Sequence, residues 1–475
     1  MAQQNGELKE SLVVGLSSQG VEVRASLLKL SRYQAVFEIY SPGLVLSTSE
    51  VLSDFKIIIN DLTIYSGRAI VSGIVNTGTL LVCEAKLEES GFLVASFAPG
   101  ETATYTQKGF DQFLHQWQKL YRVDPEFKVV VADMQSFLSD LRLWLEQLEL
   151  EIRAAPSGDR IEMERNAVQK VGEQVVPAFD RMHERLESIG DRIEPELRPV
   201  HQNFSQRQLH PLMMCSPFAY RTYQKPLGYA GDYEMVNMIA RDPYEGGSLF
   251  AKVVNLWFLS QWPARAHRNR ITYLTERLAE ESLRGERRGR PIRIFNLGCG
   301  PAREIQEFLA NDRICEYAQF TLLDFNPETV QHVTDTLSSL KRQHGRGTQI
   351  QVQKKSVQQL LKEGGKLLVQ SAANQYDMIY CAGLFDYLPD RTCRHLMNIF
   401  YNWLAPGGLL VATNVDCCQP FRNMLEFVLD WHLIYRDTKR GANLLPERAP
   451  ADSLVTKRDS TSVNIFIEVR KPDHV

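Results

Sequence analysis

The sequence predicts an α/β protein: a C-terminal, mainly parallel sheet covered by helices, preceded by a helical region and a small N-terminal antiparallel β-barrel. Three observations predict it. Short β-branched runs fill residues 20–98, apolar residues recur at three- and four-residue spacing from about 107, and strand and helix patterns alternate from Pro291 onward.

A chain of 475 residues has room for about three folded units. Its 44% hydrophobic and 23% charged residues are ordinary for a folded protein, which excludes a disordered chain or a rod. With 54 basic and 57 acidic side chains the net charge is −3, so no global field draws in nucleic acid or an anionic membrane. The eight cysteines form no CxxC pair and no zinc-finger spacing; they are expected to be reduced, in a cytoplasmic protein without a metal site. No basic leader precedes an apolar stretch and no run reaches 18 apolar residues, so neither secretion nor a membrane span is expected.

The barrel is expected within 1–105. Its strands are the runs VEVRASLLKL, YQAVFEIY, FKIIIN, TIYSGRAIVSGIV and GTLLVCEAKL, parted by turn residues at Ser41-Pro42-Gly43, Asn60-Asp61 and Asn76-Thr77-Gly78. Residues 106–225 are expected to form a helical linker or dimerisation region. One stripe runs Phe137, Leu138, Leu141, Trp144, Leu145, Leu148, Ile152, and a second runs Val168, Val171, Val175, Phe179, Met182, Leu186, Ile189. That spacing predicts an antiparallel helical pair, with a dimer seam as the alternative, and Pro177 is expected to kink the second helix. Residues 201–231, rich in proline and aromatics, are expected as an ordered loop. Lid helices follow within 226–290, over Asp232–Ile239 and Leu249–Leu283, and the charged LRGERRGRP before the first buried strand reads as a solvated loop.

From Pro291 the runs IRIFNL, AREIQEFLA and FTLLD give strand, helix, strand. Between the first two lies Asn296-Leu297-Gly298-Cys299-Gly300-Pro301, where glycines let the backbone turn sharply beside a ligand and the next helix presents free N–H groups. The second strand ends in Asp324, 24 residues past Gly300, where a carboxylate can accept from both ribose hydroxyls. The third glycine of a dinucleotide fingerprint is absent from the run that leads to Glu304, which argues against NAD and FAD.

Gly298-Cys299-Gly300 followed by a strand-end acid resembles motifs I and II of class I S-adenosylmethionine-dependent methyltransferases, and Leu404-Ala405-Pro406-Gly407-Gly408 is similar to that family's turn before the fifth strand. The resemblance covers 291–475 and implies a seven-stranded Rossmann-like sheet. QIQVQKKSV would be its third strand and loop, YDMIYCAGLFDYLP its fourth, LAPGGLLVATNV its fifth, with a last pair near HLIYRD and VNIFIEV. It implies S-adenosyl-L-methionine as cofactor, with Asn296, Gly298 and Gly300 against its methionine and ribose, Asp324 on the ribose diol and Phe325 beside the adenine. The loop after the third strand reads Lys355-Ser356-Val357, without the acid usual there; either Ser356 substitutes or backbone groups alone serve. Cys381-Ala382-Gly383 would pass close to the sulfonium, with Cys381 a small apolar neighbour rather than a nucleophile.

Methyl transfer is an in-line displacement, and a carboxylate acceptor needs no general base. No Asn/Asp-Pro-Pro-Tyr follows the fourth strand; Gly383-Leu384-Phe385-Asp386-Tyr387 replaces it, so base methylation and nucleic-acid partners are disfavoured. Lys225–Met235 (KPLGYAGDYEM), Pro263–Ile271 (PARAHRNRI), Gly298–Glu304 and Phe385–Asp390 together resemble bacterial synthases of 3-hydroxy fatty acid (3-hydroxypalmitate) methyl ester signals of quorum sensing. That resemblance implies that Tyr229 and Tyr233 close the site and that Arg265, His267 or Arg268 meets a carboxylate, a solvated face or a structural histidine being the plain alternatives. It also implies that Asp386 and Tyr387 lie at the acceptor, a fatty acid or its acyl-carrier-protein form. Other expectations are a signalling effector that senses the cofactor, and a protein carboxyl methyltransferase of the chemoreceptor type. Arg32 and the run Tyr65–Val71 loosely resemble PilZ-type barrels, but neither RxxxR nor D/NxSxxG is intact, so the barrel is expected to dock or dimerise rather than to bind cyclic di-GMP.

Overall fold

The computed structural model describes residues 11–39, 46–59, 62–76, 81–92, 122–367, 375–417 and 420–473. The turns expected at 41–43 and 60–61, part of that at 76–78, and the helical onset expected from 107 lie outside the described residues.

Six antiparallel strands close the N-terminal barrel: β1 (Ser11–Leu16), β2 (Glu22–Leu30), β3 (Gln34–Ile39), β4 (Val51–Ile59), β5 (Leu62–Asn76) and β6 (Leu81–Leu87), in the order β1-β2-β3-β6-β5-β4. Alternation turns Val13, Val23, Phe37, Phe55 and Ile57 inward, where they are fully buried. Strand β1, which the sequence reading passed over, closes the ring by pairing with both β2 and β4.

The helical pair is α1 (Pro125–Ala154) and α2 (Arg160–Gly190). Asp124 caps α1 by accepting from the amides of Glu126 and Phe127, and Phe127, Val131, Met134 and Leu138 bury its inner face. Pro177 lies within α2, while Trp144, placed on the apolar stripe by spacing, is half exposed.

The loop expected over 201–231 is instead mostly helical: α3 (Arg198–Met213) and α4 (Pro217–Gln224). Its prolines sit where helices accept them. Pro217 opens α4 behind the Ser216 cap, and Pro211 falls in the last turn of α3. Only the turn between Lys225 and Asp232 remains, before α5 (Tyr233–Ala240), α6 (Leu249–Ser260) and α7 (Trp262–Arg287). Because α7 runs to Arg287, the first half of the charged segment expected as a loop is its final turn.

The C-terminal sheet has the order β12-β13-β11-β10-β7-β8-β9. Its strands are β7 (Ile292–Leu297), β8 (Ala318–Asp324), β9 (Gln349–Lys354), β10 (Tyr376–Cys381), β11 (Leu404–Val415), β12 (Leu454–Arg458) and β13 (Asn464–Arg470). Strands β7 to β11 are mutually parallel, and β13 runs antiparallel to β11. Helices α8 (Arg303–Asn311), α9 (Pro327–His344), α10 (Val357–Leu367) and α11 (Asp390–Trp403) connect them. The run HLIYRD, expected as a strand, is not one; the sixth strand is Leu454–Arg458. Its backbone is engaged elsewhere, since Ile434 N–H donates to the Asp386 carbonyl at 2.7 Å and Arg436 N–H to the Val415 carbonyl at 3.0 Å.

Barrel and sheet are joined. The Val51 amide donates to the Gly228 carbonyl at 2.7 Å, the Thr48 amide to the Tyr387 carbonyl at 3.2 Å, and Lys86 Nζ pairs with Asp430 at 2.7 Å. Among the described residues no helix is long and apolar enough to cross a membrane.

Candidate active site

The C-terminal edges of β7, β8 and β10 open into one cavity, as ligand sites do in open α/β sheets. Gly298 (φ +70°) and Gly383 (φ +79°) adopt the left-handed conformation that a side chain would strain. The turn after β7 is pinned to β8, since the Gly298 and Cys299 amides donate to the Leu323 carbonyl at 2.8 and 3.1 Å. Asp324 accepts at Oδ2 from Gly300 N–H (3.2 Å) and at Oδ1 from Asn326 N–H (3.0 Å). Each oxygen keeps a lone pair for a further donor. Burial pushes this carboxyl up to about 6, against the pull of those amides.

Asn296 Oδ1 is buried and has no partner among the described residues. The neighbouring Glu304 carboxylate accepts from Tyr380 Oη at 2.7 Å, and burial raises its pKa despite that bond. An orphaned acceptor, a glycine cradle without side chains and a strand-end carboxylate with free lone pairs fit an amino group, a close backbone approach and a ribose diol. The cofactor these residues fit is S-adenosylmethionine. Phe325, packed against Tyr229 with ring centres 5.0 Å apart, supplies a flat apolar wall beside Asp324.

On the other side of the cavity, α7 carries Arg270, which is 8% exposed. Its guanidinium lies against Gly383, where a Cβ would fall 2.8 Å from Nη1. It makes no hydrogen bond or ion pair among the described residues, although the fields of Asp386 and Glu304 favour its charge. Asp386 is buried and spends Oδ1 on the Val415 amide at 2.6 Å; burial raises its pKa. Tyr387 Oη accepts from Trp431 Nε1 at 3.0 Å, and Gly231 leaves room for that hydroxyl, since a Cβ there would stand 2.5 Å from it. Burial, with Arg270 nearby, pulls His267 down to about 3, and its Nδ1 bonds the Pro263 carbonyl at 2.8 Å. Val236, Ile271, Leu274, Leu384 and Leu433 give the remaining wall an apolar character.

Thirteen of the residues singled out from sequence line this cavity: Tyr229, Tyr233, His267, Asn296, Gly298, Gly300, Asp324, Phe325, Val357, Ala382, Gly383, Asp386 and Tyr387. Four do not. Arg265 stacks over the Trp262 ring at 4.9 Å. Arg268 ties helix ends together by donating to the carbonyls of Ile239 and Leu259. Ser356 exchanges hydrogen bonds with Gln359 at the start of α10, and Cys381 is buried beneath the sheet edge with its thiol pKa pushed well up by burial. Two groups were missed. Arg270 falls in the four-residue stripe Ala266, Arg270, Leu274, so its place on a buried face was readable. Ser18, Gln19, Ser47, Thr48 and Glu50 reach the cavity from the barrel, and nothing local in the sequence signals that.

Residues 295–410 match the family model described as "Methyltransferase domain". The match runs from within β7 to within β11 of the C-terminal sheet. No curated protein matches the sequence. Among solved structures, the N-methyltransferase NodS from Bradyrhizobium japonicum WM9 in complex with S-adenosyl-L-homocysteine is 17% identical (53% of this chain, 99% of that one, TM-score 0.30). An O-methyltransferase family protein from Burkholderia thailandensis is 14% identical (60% and 75%, TM-score 0.32). The magnesium protoporphyrin IX methyltransferase of Synechocystis PCC 6803 with bound SAH is 9% identical (44% and 87%, TM-score 0.32).

Proposed function

We propose that the protein methylates the carboxylate of a 3-hydroxy fatty acid, drawing on S-adenosylmethionine and releasing a methyl ester, in the bacterial cytoplasm as a step in quorum-sensing signal synthesis. When bound, the cofactor supplies an electrophilic methyl group. Asn296, Gly298, Gly300 and Asp324 would hold it.

The observation that carries the choice of acceptor is the buried, unpaired guanidinium of Arg270 beside Gly383. A desolvated guanidinium with no direct hydrogen-bond or ion-pair partner among the described residues is a ready partner for a carboxylate, and it can grip one oxygen while the other is left to attack. The possible bases support the same choice. Asp386 and Glu304 are already engaged by donors, and His267, neutral above about pH 3, is too weak a base to strip an alcohol or ammonium. An acceptor that arrives ionised needs no proton removed. The apolar wall formed by Ile271, Leu274 and Leu433 suits an acyl chain.

We read the six-stranded barrel as PilZ-like in outline, serving docking rather than cyclic di-GMP. The exposed Leu143, Trp144 and Leu150 on α1 support a homodimer seam there.

The test is incubation of purified protein with methyl-labelled S-adenosylmethionine and 3-hydroxy fatty acids, followed by organic extraction. Base-labile extractable label is expected. Cofactor binding without any methyl ester would overturn the reading, and label retained on protein would favour protein carboxyl methylation.

A further inference from the structure

The barrel enters the cavity at two turns. Ser18 and Gln19 come from the turn between β1 and β2, and Ser47, Thr48 and Glu50 from the segment leading into β4. These two turns are held to each other by one side chain. Glu50 is 1% exposed; its Oε1 accepts from the Ser18 amide (2.9 Å) and hydroxyl (2.7 Å), and its Oε2 from the Ser47 amide (2.8 Å). Three donors on one buried carboxylate make a rigid knot.

The knot is pressed onto the part of the cavity wall that carries Tyr387 and the turn at Gly228. The Thr48 amide donates to the Tyr387 carbonyl, and the Val51 amide to the carbonyl of Gly228, in the same turn as Tyr229 and Gly231. Ser49, fully buried, exchanges hydrogen bonds through Oγ with the backbone of His432, next to Trp431. Ser49 also has φ +60°, a left-handed conformation for a non-glycine residue, which persists only where its surroundings impose it. A barrel that merely rested on the methyltransferase domain would need neither a strained residue at the contact nor a buried carboxylate behind the cavity wall.

Resting on the acceptor assignment above, we propose that the barrel is the acceptor-side wall of the active site, and that Glu50 is a positioning residue fixing the two barrel turns against the acyl substrate. The barrel thereby helps select which carboxylic acid is methylated.

Two measurements on the full-length protein test this. The first is photolabelling with a diazirine-bearing hexadecanoic acid in the presence of S-adenosylhomocysteine, followed by peptide mapping. Adducts on residues 17–19 or 46–50, alongside adducts on the cavity face of α7 or at 383–388, are expected. Adducts confined to the methyltransferase domain overturn the inference and leave the acceptor assignment standing. No adduct anywhere in the cavity overturns the acceptor assignment and this inference with it. The second is the kinetics of Glu50→Gln, which keeps the shape but turns an amide against the Ser47 N–H. Its KM for the acid should rise about tenfold, as for loss of one buried charge-assisted hydrogen bond, with S-adenosylhomocysteine affinity held within about twofold. Ser18→Ala, removing one of the three donors, should give a smaller rise of the same kind. An unchanged KM, or an equal loss of cofactor affinity, overturns the positioning role.

Discussion

Oδ2 of Asp324 accepts a hydrogen bond from the backbone N–H of Gly300 at 3.2 Å, so the end of β8 and the turn after β7 fix one another. The same carboxyl is buried and titrates near 6. Its ionised form is the better acceptor for ribose hydroxyls, so S-adenosylmethionine affinity should weaken as pH falls through that value, by about tenfold at pH 5 relative to pH 7.5. Asp324→Asn keeps the shape but loses the charge; binding should drop roughly ten- to a hundredfold and the pH slope should vanish. Calorimetric titration across pH 5–8 checks both, and a flat wild-type profile would refute the assignment.

Arg270 tests the acceptor. Arg270→Gln should lower kcat/KM for the fatty acid roughly a hundredfold, the scale expected when one partner of a buried charge pair is removed. Arg270→Lys keeps the charge without the planar fork and should recover part of the loss. Affinity for S-adenosylhomocysteine should hold in both. If it collapses instead, the guanidinium serves the carboxylate of the cofactor's own methionine and the acceptor assignment loses its support.

Tyr380 gives Glu304 its hydroxyl donor inside the sheet. Tyr380→Phe should destabilise the fold by about 1–3 kcal/mol, the range for a buried acceptor left unsatisfied. The sign of its pH dependence follows from the raised Glu304 pKa. A carboxyl whose pKa is higher folded than unfolded burdens the fold only once it must ionise, so the variant's deficit should widen from pH 5 to pH 8 in thermal melts.

Asp430 is fully buried at the junction, paired with Lys86 and close to the buried Lys225, whose pKa burial draws down to about 7. Those cations hold the Asp430 carboxyl far below the usual range. Asp430→Asn should cost about 3 kcal/mol in denaturant unfolding, because it leaves Lys86 without its buried partner. Asparagine tolerates the φ of +54° at this position, so the loss would be electrostatic rather than conformational. A change under half a kcal/mol would mean that solvent already screens the pair.

What the sequence made legible was what a few consecutive residues decide. The glycine turn and Asp324 were readable because the strand, turn and helix that shape them are contiguous, and the barrel because alternation repeats over several short runs. Prolines misled over 201–231, since Pro217 at a helix start and Pro211 in a last turn break nothing. The β-like composition of HLIYRD misled as well, because the Ile434 and Arg436 amides are spent on Asp386 and Val415 rather than on a neighbouring strand. Arg270 was passed over because an arginine on a helix ordinarily faces water. The approach of Ser47–Glu50 to Tyr387 had no local trace at all.

The bond from Ser49 to His432 spans 383 residues. On a ribosome the barrel turns are made before the segment they rest on, which emerges 383 residues later. The strained Ser49 can find its support no sooner. Contacts of such sequence separation form late and slowly, so the nascent barrel would wait with an uncovered docking face, and methyl transfer would begin only after the segment around His432 has settled against it.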